Sequence, residues 1–396
     1  MALPKIHYLP LYDIFFSQGY AGNSWESFES TADDINTPLS KRPVDFSLRT
    51  ETREWKDIAN DLAYLFLRVI IFPWGIYDLG RFIVQRIVMM PLYPLQSRII
   101  TFILNLKLGC FSKSNLQSKR CTTLNKLKKG IDGGEKFIVR DVVFEKNGVL
   151  YNGFLIGKTS SINNGNWAVQ ATGNLESIEH SAKEFAKIYA TINYNILLIN
   201  GPSIGKNEAH STPDSMGEVQ ELGITYLETA IKAEKIVIAG RSLGGAALNQ
   251  AILKHQFDPN IKYLVVRQMT FDRASHIASV VVGEFLPKLL SDLVERIVIW
   301  SGCEMDCIEA SRKLQELNIK EVIVQATKRP INEGDLPKME DFQSDGAIPA
   351  EASLGYGLIK ENIVENKVFI CVTNIRHAEN YTIMATRNEI ENFYPT

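Results

Sequence analysis

Ser242 stands in Gly240-Arg241-Ser242-Leu243-Gly244-Gly245, between the β-forming run "KIVIA" and the helix-forming run "AALNQAILK". A serine on a sharp strand-to-helix turn can serve as a nucleophile, because the bend lifts its hydroxyl clear of the sheet while flanking glycines keep Cβ atoms out of the bend. The start of the following helix also leaves the Leu243 N–H without an intrahelical acceptor, so that it could meet a developing oxyanion. Taken alone the pattern is weak, and a plain Gly-rich connection is the alternative reading. A serine needs a base, and the base needs a group that orients it.

Where a nucleophile sits on such a turn, the acid follows it along the chain and the histidine comes last. Of six histidines, His377 in "VFICVTNIRHAENY" follows the final β-rich run, where a loop could bring it over Ser242. His7 lies in the N-terminal segment, His180 and His255 fall on helix-like stretches, His210 in a polar loop, and His276 after an earlier strand. Asp345, in "QSDGAIPAEASL", opens a helical stretch and is the first choice of acid. Its separation from the preceding strand "KEVIVQA" exceeds the usual connection. Asp335 in "NEGDLPK" and Asp272 in "MTFDRAS" therefore remain alternatives, each with a helix cap as its plain reading. A second oxyanion N–H is expected from "QATGNLESIE", with the backbone of Asn174 donating and Gly173 permitting close approach. The loop Asn200 to Asn207 could shape the pocket or be an ordinary strand-end turn.

These residues need a scaffold that brings them to one place. From Lys136 the chain reads as a β-hairpin around Asn147-Gly148, followed by alternating strands and helices to the last strand "KVFICVTN". Two antiparallel strands followed by β/α alternation imply a mostly parallel sheet with helices on both faces, the layout of the α/β-hydrolase fold. Upstream, residues 1–50 are polar and aperiodic over 17–50 and read as irregular. Residues 51–135 read as an apolar helical layer, broken at Pro73, Pro91 and Pro94, ending in a basic connector over 111–135. The hydrolase domain would span 136–396.

Bulk properties narrow the class. With 43 basic and 45 acidic residues and no long single-sign block, nucleic acid is not an expected partner. Arg68, Asp78, Arg81, Gln85 and Arg86 interrupt the apolar layer, which argues against a membrane span. It leaves helices packed on the core, or an element lying in a lipid surface. Five dispersed cysteines, Cys110, Cys121, Cys303, Cys307 and Cys371, suit buried thiols in a reducing compartment. Cys303 and Cys307 are spaced to share a helix face, but no Cys/His pair nearby completes a zinc site, so neither metal nor cofactor is expected. The N-terminus shows no evident Sec signal, which fits a cytoplasmic protein or one exported by another route.

In combination, "IIFPWGIYDLGRF", "FEKNGVLYNGFLIG", "ATGNLESIE", "GRSLGG" and "DGAIPAEASL" resemble the CHLPS/SidB-like α/β hydrolases of chlamydial and Legionella proteins, from about Trp55 onward. The "GNLESIE" and "NGPSIG" loops are also similar to those of phosphatidylserine lipases of the same fold. The resemblance implies a Ser242, Asp345, His377 triad, action on lipids or acyl esters, and a protein of the kind translocated into a host cell. The reading is a serine esterase or lipase, with a protein acyl-thioesterase and a non-catalytic scaffold on the same fold as alternatives.

Overall fold

A computed structural model of the chain describes residues 44–48, 81, 84–85, 113–129, 136–373, 375, 377 and 386–391, excluding 174–175, 203, 205–206, 208, 210, 285–286 and 333–334 within the long stretch. The apolar helical layer expected over 51–110 lies outside the described residues, except for three helical positions at Arg81, Val84 and Gln85.

Strands and helices alternate as the hydrophobic pattern requires. Strands β2 (Phe137–Lys146) and β3 (Val149–Lys158) form an antiparallel hairpin. Its turn places Asn147 and Gly148 at φ of 50° and 81°, the left-handed pair that an Asn-Gly dipeptide adopts at low cost. There follow β4 (Asn166–Ala171), α2 (Ile178–Thr191), β5 (Asn195–Ile199), α3 (Pro213–Tyr226), β6 (Lys235–Arg241) and α4 (Leu243–Lys254). After β7 (Lys262–Gln268) come three helices, α5 (Ala274–Gly283), α6 (Lys288–Ser301) and α7 (Cys307–Glu316). The chain closes with β8 (Lys320–Thr327), α8 (Leu354–Lys360), β9 (Lys367–Thr373) and a short helical stretch at 386–391.

With a first strand β1 at Phe46–Leu48, the sheet runs in the order β1-β2-β3-β5-β4-β6-β7-β8-β9, with β3 antiparallel to both of its neighbours and every other pair parallel. Side chains alternate between the faces of a strand, so each central strand feeds two cores. Ile236 and Ile238 pack with α3 and α4 on one side, whereas Val237 and Ala239 pack with α2 on the other. This is the α/β-hydrolase fold.

Two elements differ from the sequence reading. Strand β1 (Phe46–Leu48), from the segment read as irregular, pairs in parallel with β2 and sets Phe46 edge-on to Tyr226. The Asp45 carboxylate fixes its entry, accepting from Val143 N at 2.8 Å and pairing with Arg140 at 2.5 Å. Helix α1 (Lys113–Lys129) replaces most of the basic connector. Among its described side chains Leu124 and Leu127 are buried beside Arg120, which lies 3.9 Å above the Phe154 ring, pairs with Asp141, and donates to Glu179 at 2.6 Å. A helix held through a buried guanidinium carries little hydrophobic periodicity, which is why spacing did not reveal it.

Cys303 and Cys307 do not share a helix face. The left-handed Gly302 (φ 76°) ends α6, Cys303 follows it, and Cys307 opens α7. Both are free and buried, and burial pushes their thiols up to about 11 and about 12, so they behave as inert core residues. Among the described residues no helix is long and apolar enough to cross a membrane.

The Arg120 network carries a test of the fold. Arg120→Met strands Asp141 and Glu179, both buried, without their cation, and is expected to cost about 3–5 kcal/mol in urea-induced unfolding. A loss below about 1 kcal/mol would mean that α1 does not depend on this contact.

Candidate active site

The turn at Ser242 is set by what its neighbours lack. Ser242 has φ 53° and ψ −124°, a region that non-glycine residues enter at a cost of about 1–3 kcal/mol. A Cβ at Gly240 would lie 2.6 Å from the Gly244 backbone, and one at Gly244 would lie 2.6 Å from the Ala171 and Thr172 carbonyl oxygens. Neither position has room for a side chain, so the spacing of the glycines about Ser242 is a packing requirement. The turn is locked from the other side by Ser242 N donating to Gln268 O at 2.8 Å, at the end of β7. Leu243 is the first residue of α4, where a backbone N–H has no intrahelical acceptor.

His377 follows β9 and faces this serine: its Nε2 is 2.8 Å from Ser242 Oγ. Its Nδ1 is 2.8 Å from Asp345 Oδ2, and its backbone N–H donates to Asp345 O at 2.8 Å. The Asp345 carboxylate is fully buried, while the His377 side chain is 23% exposed. Asp345 Oδ1 accepts from Ala347 N at 2.9 Å and from Ile348 N at 2.8 Å, so the carboxylate is oriented by its own turn before the histidine reaches it.

The long connection before Asp345 is resolved by a return of the chain. Residues 328–341 leave the end of β8 and come back, with Lys328 N donating to Asp341 O at 2.8 Å and Gln343 N to Ala326 O at 3.2 Å. Phe342 bridges Thr327, and Arg329 pairs with Asp341 at 2.6 Å. Asp345 thus leaves from beside the tip of β8 despite its distance along the chain. Leu354 N, donating to Thr270 O at 2.8 Å, ties the far end of the same loop to the exit of β7.

The other acids are occupied elsewhere. Asp335 is exposed in the excursion, and its carboxylate accepts from Asn332 Nδ2 at 3.1 Å. Asp272 is buried and lies 2.7 Å from Nδ1 of His276. Burial pushes the Asp272 carboxyl up, against the opposing pull of His276, and the bond to Asp272 pushes His276 up. His180 and His255 bond Ser177 and Glu228.

The loop after β4 brings a partner that sequence inspection missed. Gly173 N–H donates to Glu176 Oε2 at 2.8 Å, so Gly173 is not free to donate to an oxyanion; a Cβ there would lie 3.4 Å from Arg241 O. Asn174, expected as the donor, lies outside the described residues. The other oxygen of Glu176 pairs with Arg241, the residue that immediately precedes Ser242. In the 200–207 loop, the Asn200 side chain accepts from Ile178 N at 3.1 Å and Asn207 Nδ2 donates to Asn200 O at 2.6 Å, which ties this loop to the start of α2.

The Asp272–His276 pair is testable by titration. Because His276 is raised, its bond to Asp272 should stabilise the fold fully below the ordinary histidine pKa of about 6.5 and fade as pH rises through the folded value. NMR titration should place His276 above that ordinary value, and Asp272→Asn should bring it down. An unchanged titration in the variant would contradict the assignment.

Comparison with solved structures yields an alpha-beta hydrolase from Vibrio vulnificus at 14% identity and a TM-score of 0.51, covering 75% of this chain and 94% of that one. An esterase from Pyrococcus furiosus matches at 13% identity and a TM-score of 0.45, covering 65% and 90%. Est1E from Butyrivibrio proteoclasticus, in a structure with bound ferulic acid, matches at 13% and 0.43, covering 62% and 95%. No curated protein matches the chain. The family model described as Chlamydia CHLPS protein (DUF818) matches residues 55–392, and the chain belongs to that family.

Proposed function

We propose that the protein is a serine hydrolase that cleaves a carboxylic ester of a lipid or other acyl ester through an acyl-enzyme. The observation that carries the reading is the continuous contact from Asp345 through both ring nitrogens of His377 to Ser242 Oγ, each step 2.8 Å. His377, with Nδ1–H held by Asp345, takes the Ser242 proton as Oγ attacks the carbonyl carbon. The backbone N–H groups of Leu243 and Asn174 hold the negative oxygen of the tetrahedral intermediate. His377 returns the proton to the departing alcohol, and water, deprotonated by the same ring, attacks the acyl-serine to release the acid and restore Ser242.

A lipid or long acyl chain is favoured by the apolar composition of residues 55–110, which suits peripheral contact with a lipid surface. The same composition fits action at a membrane surface, and a host-cell setting rests on the family's chlamydial name alone.

Hydrolysis of p-nitrophenyl acyl esters of increasing chain length tests the reading. Wild type is expected to turn over and to prefer longer chains. Ser242→Ala and His377→Ala should lose at least about a thousandfold in kcat with KM little changed, and Asp345→Asn a comparable amount through the wrong histidine tautomer. Turnover by Ser242→Ala at the wild-type rate would sink the assignment.

A further inference from the structure

The contacts around Arg241 reach beyond the three residues proposed for the chemistry. Arg241 ends β6, and its backbone is held in register with Gln268 of β7, so the base of its side chain is as fixed as the nucleophile next to it. Its guanidinium crosses to the loop that follows the neighbouring strand β4 and pairs with Glu176. The two side chains are largely buried, at 12% and 20% exposed. Glu176 grips its own loop twice: its carboxylate accepts from Gly173 N–H at 2.8 Å, and its backbone N–H donates to Gly173 O at 3.3 Å. One carboxylate therefore spans the loop and the nucleophile turn.

We infer that Glu176 and Arg241 are positioning residues that tie Gly173 and Glu176 of the loop following β4 to the Ser242 turn, so that Ser242 Oγ and the Leu243 N–H keep their places together. The inference rests on the serine-hydrolase reading above. Burial raises the cost of leaving either charge alone, and a turn released by a fraction of an ångström would leave substrate bound but would no longer aim the Leu243 N–H at the oxyanion. The pair thus acts on the transition state more than on the ground state.

The test compares wild type with Glu176→Ala, Glu176→Gln and Arg241→Lys. The measurements are kcat and KM on a p-nitrophenyl ester, and inhibition by an alkylboronic acid, whose tetrahedral adduct resembles the transition state. Removing one oxyanion contact costs about 100- to 1000-fold in kcat, and a loosened donor should cost less, so Glu176→Ala is expected to lose roughly 10- to 100-fold in kcat at unchanged KM. Boronate affinity should fall by the same factor as kcat/KM. Glu176→Gln keeps an acceptor for Gly173 N–H without the charge, and Arg241→Lys keeps the charge without the fork; both should fall between Glu176→Ala and wild type. A purely structural role would lower the thermal midpoint and the active fraction while leaving kcat per active molecule and boronate affinity unchanged, and that result overturns the inference. Equal kcat and boronate affinity in all four proteins would do the same. A silent wild type defeats the hydrolase reading itself, whereas an active wild type with unaffected variants defeats only the clamp.

Discussion

Close backbone contact at the end of β6 governs the rest of the site. Gly240 and Gly244 lie where a single extra carbon would strike main-chain atoms 2.6 Å away, and between them Ser242 is held at positive φ. The strain at Ser242 persists because the surrounding sheet over-determines the turn: β4 supplies the carbonyls that crowd Gly244, and β7 supplies the acceptor for Ser242 N–H. Once the turn is fixed in this way, the positions of every other participant follow from which strand end it leaves. Asp345 departs from beside β8, His377 from β9, and the loop carrying Glu176 from β4.

Much of this was legible in the sequence. The turn has a strand before it and a helix after it, Asn147-Gly148 marks the hairpin, and Asp345 and His377 follow Ser242 in the order the fold demands. Asp345 is harder to pick out in the sequence because its separation from β8 along the chain is a poor guide to their separation in space. The excursion 328–341, closed by Arg329 and Asp341 and by the Thr327–Phe342 bridge, removes that obstacle, but both closures are tertiary. The partners of Asp272 and Asp335, His276 and Asn332, are likewise visible only in the folded chain.

Other features were hidden for reasons of physics. Helix α1 is anchored by Arg120 on carboxylates 21 and 59 residues away, and a buried ion pair leaves no trace in hydrophobic periodicity. Strand β1 is three residues long, too short for an alternating pattern to stand out. Glu176 and Arg241 stand 65 residues apart along the chain. Only the parallel pairing of β4 with β6 sets them opposite each other. The Cys303 and Cys307 spacing misled in the opposite direction, because the left-handed Gly302 ends one helix before the next begins.

As the proposed nucleophile, Ser242 becomes covalently bound during turnover. Peptide mass spectrometry after reaction of the folded protein with a fluorophosphonate reads that bond. One adduct per chain is expected, on the peptide containing Ser242, and none after His377→Ala under the same brief exposure. An adduct on another residue, or no adduct on a folded wild-type protein that hydrolyses esters, rules Ser242 out as the nucleophile.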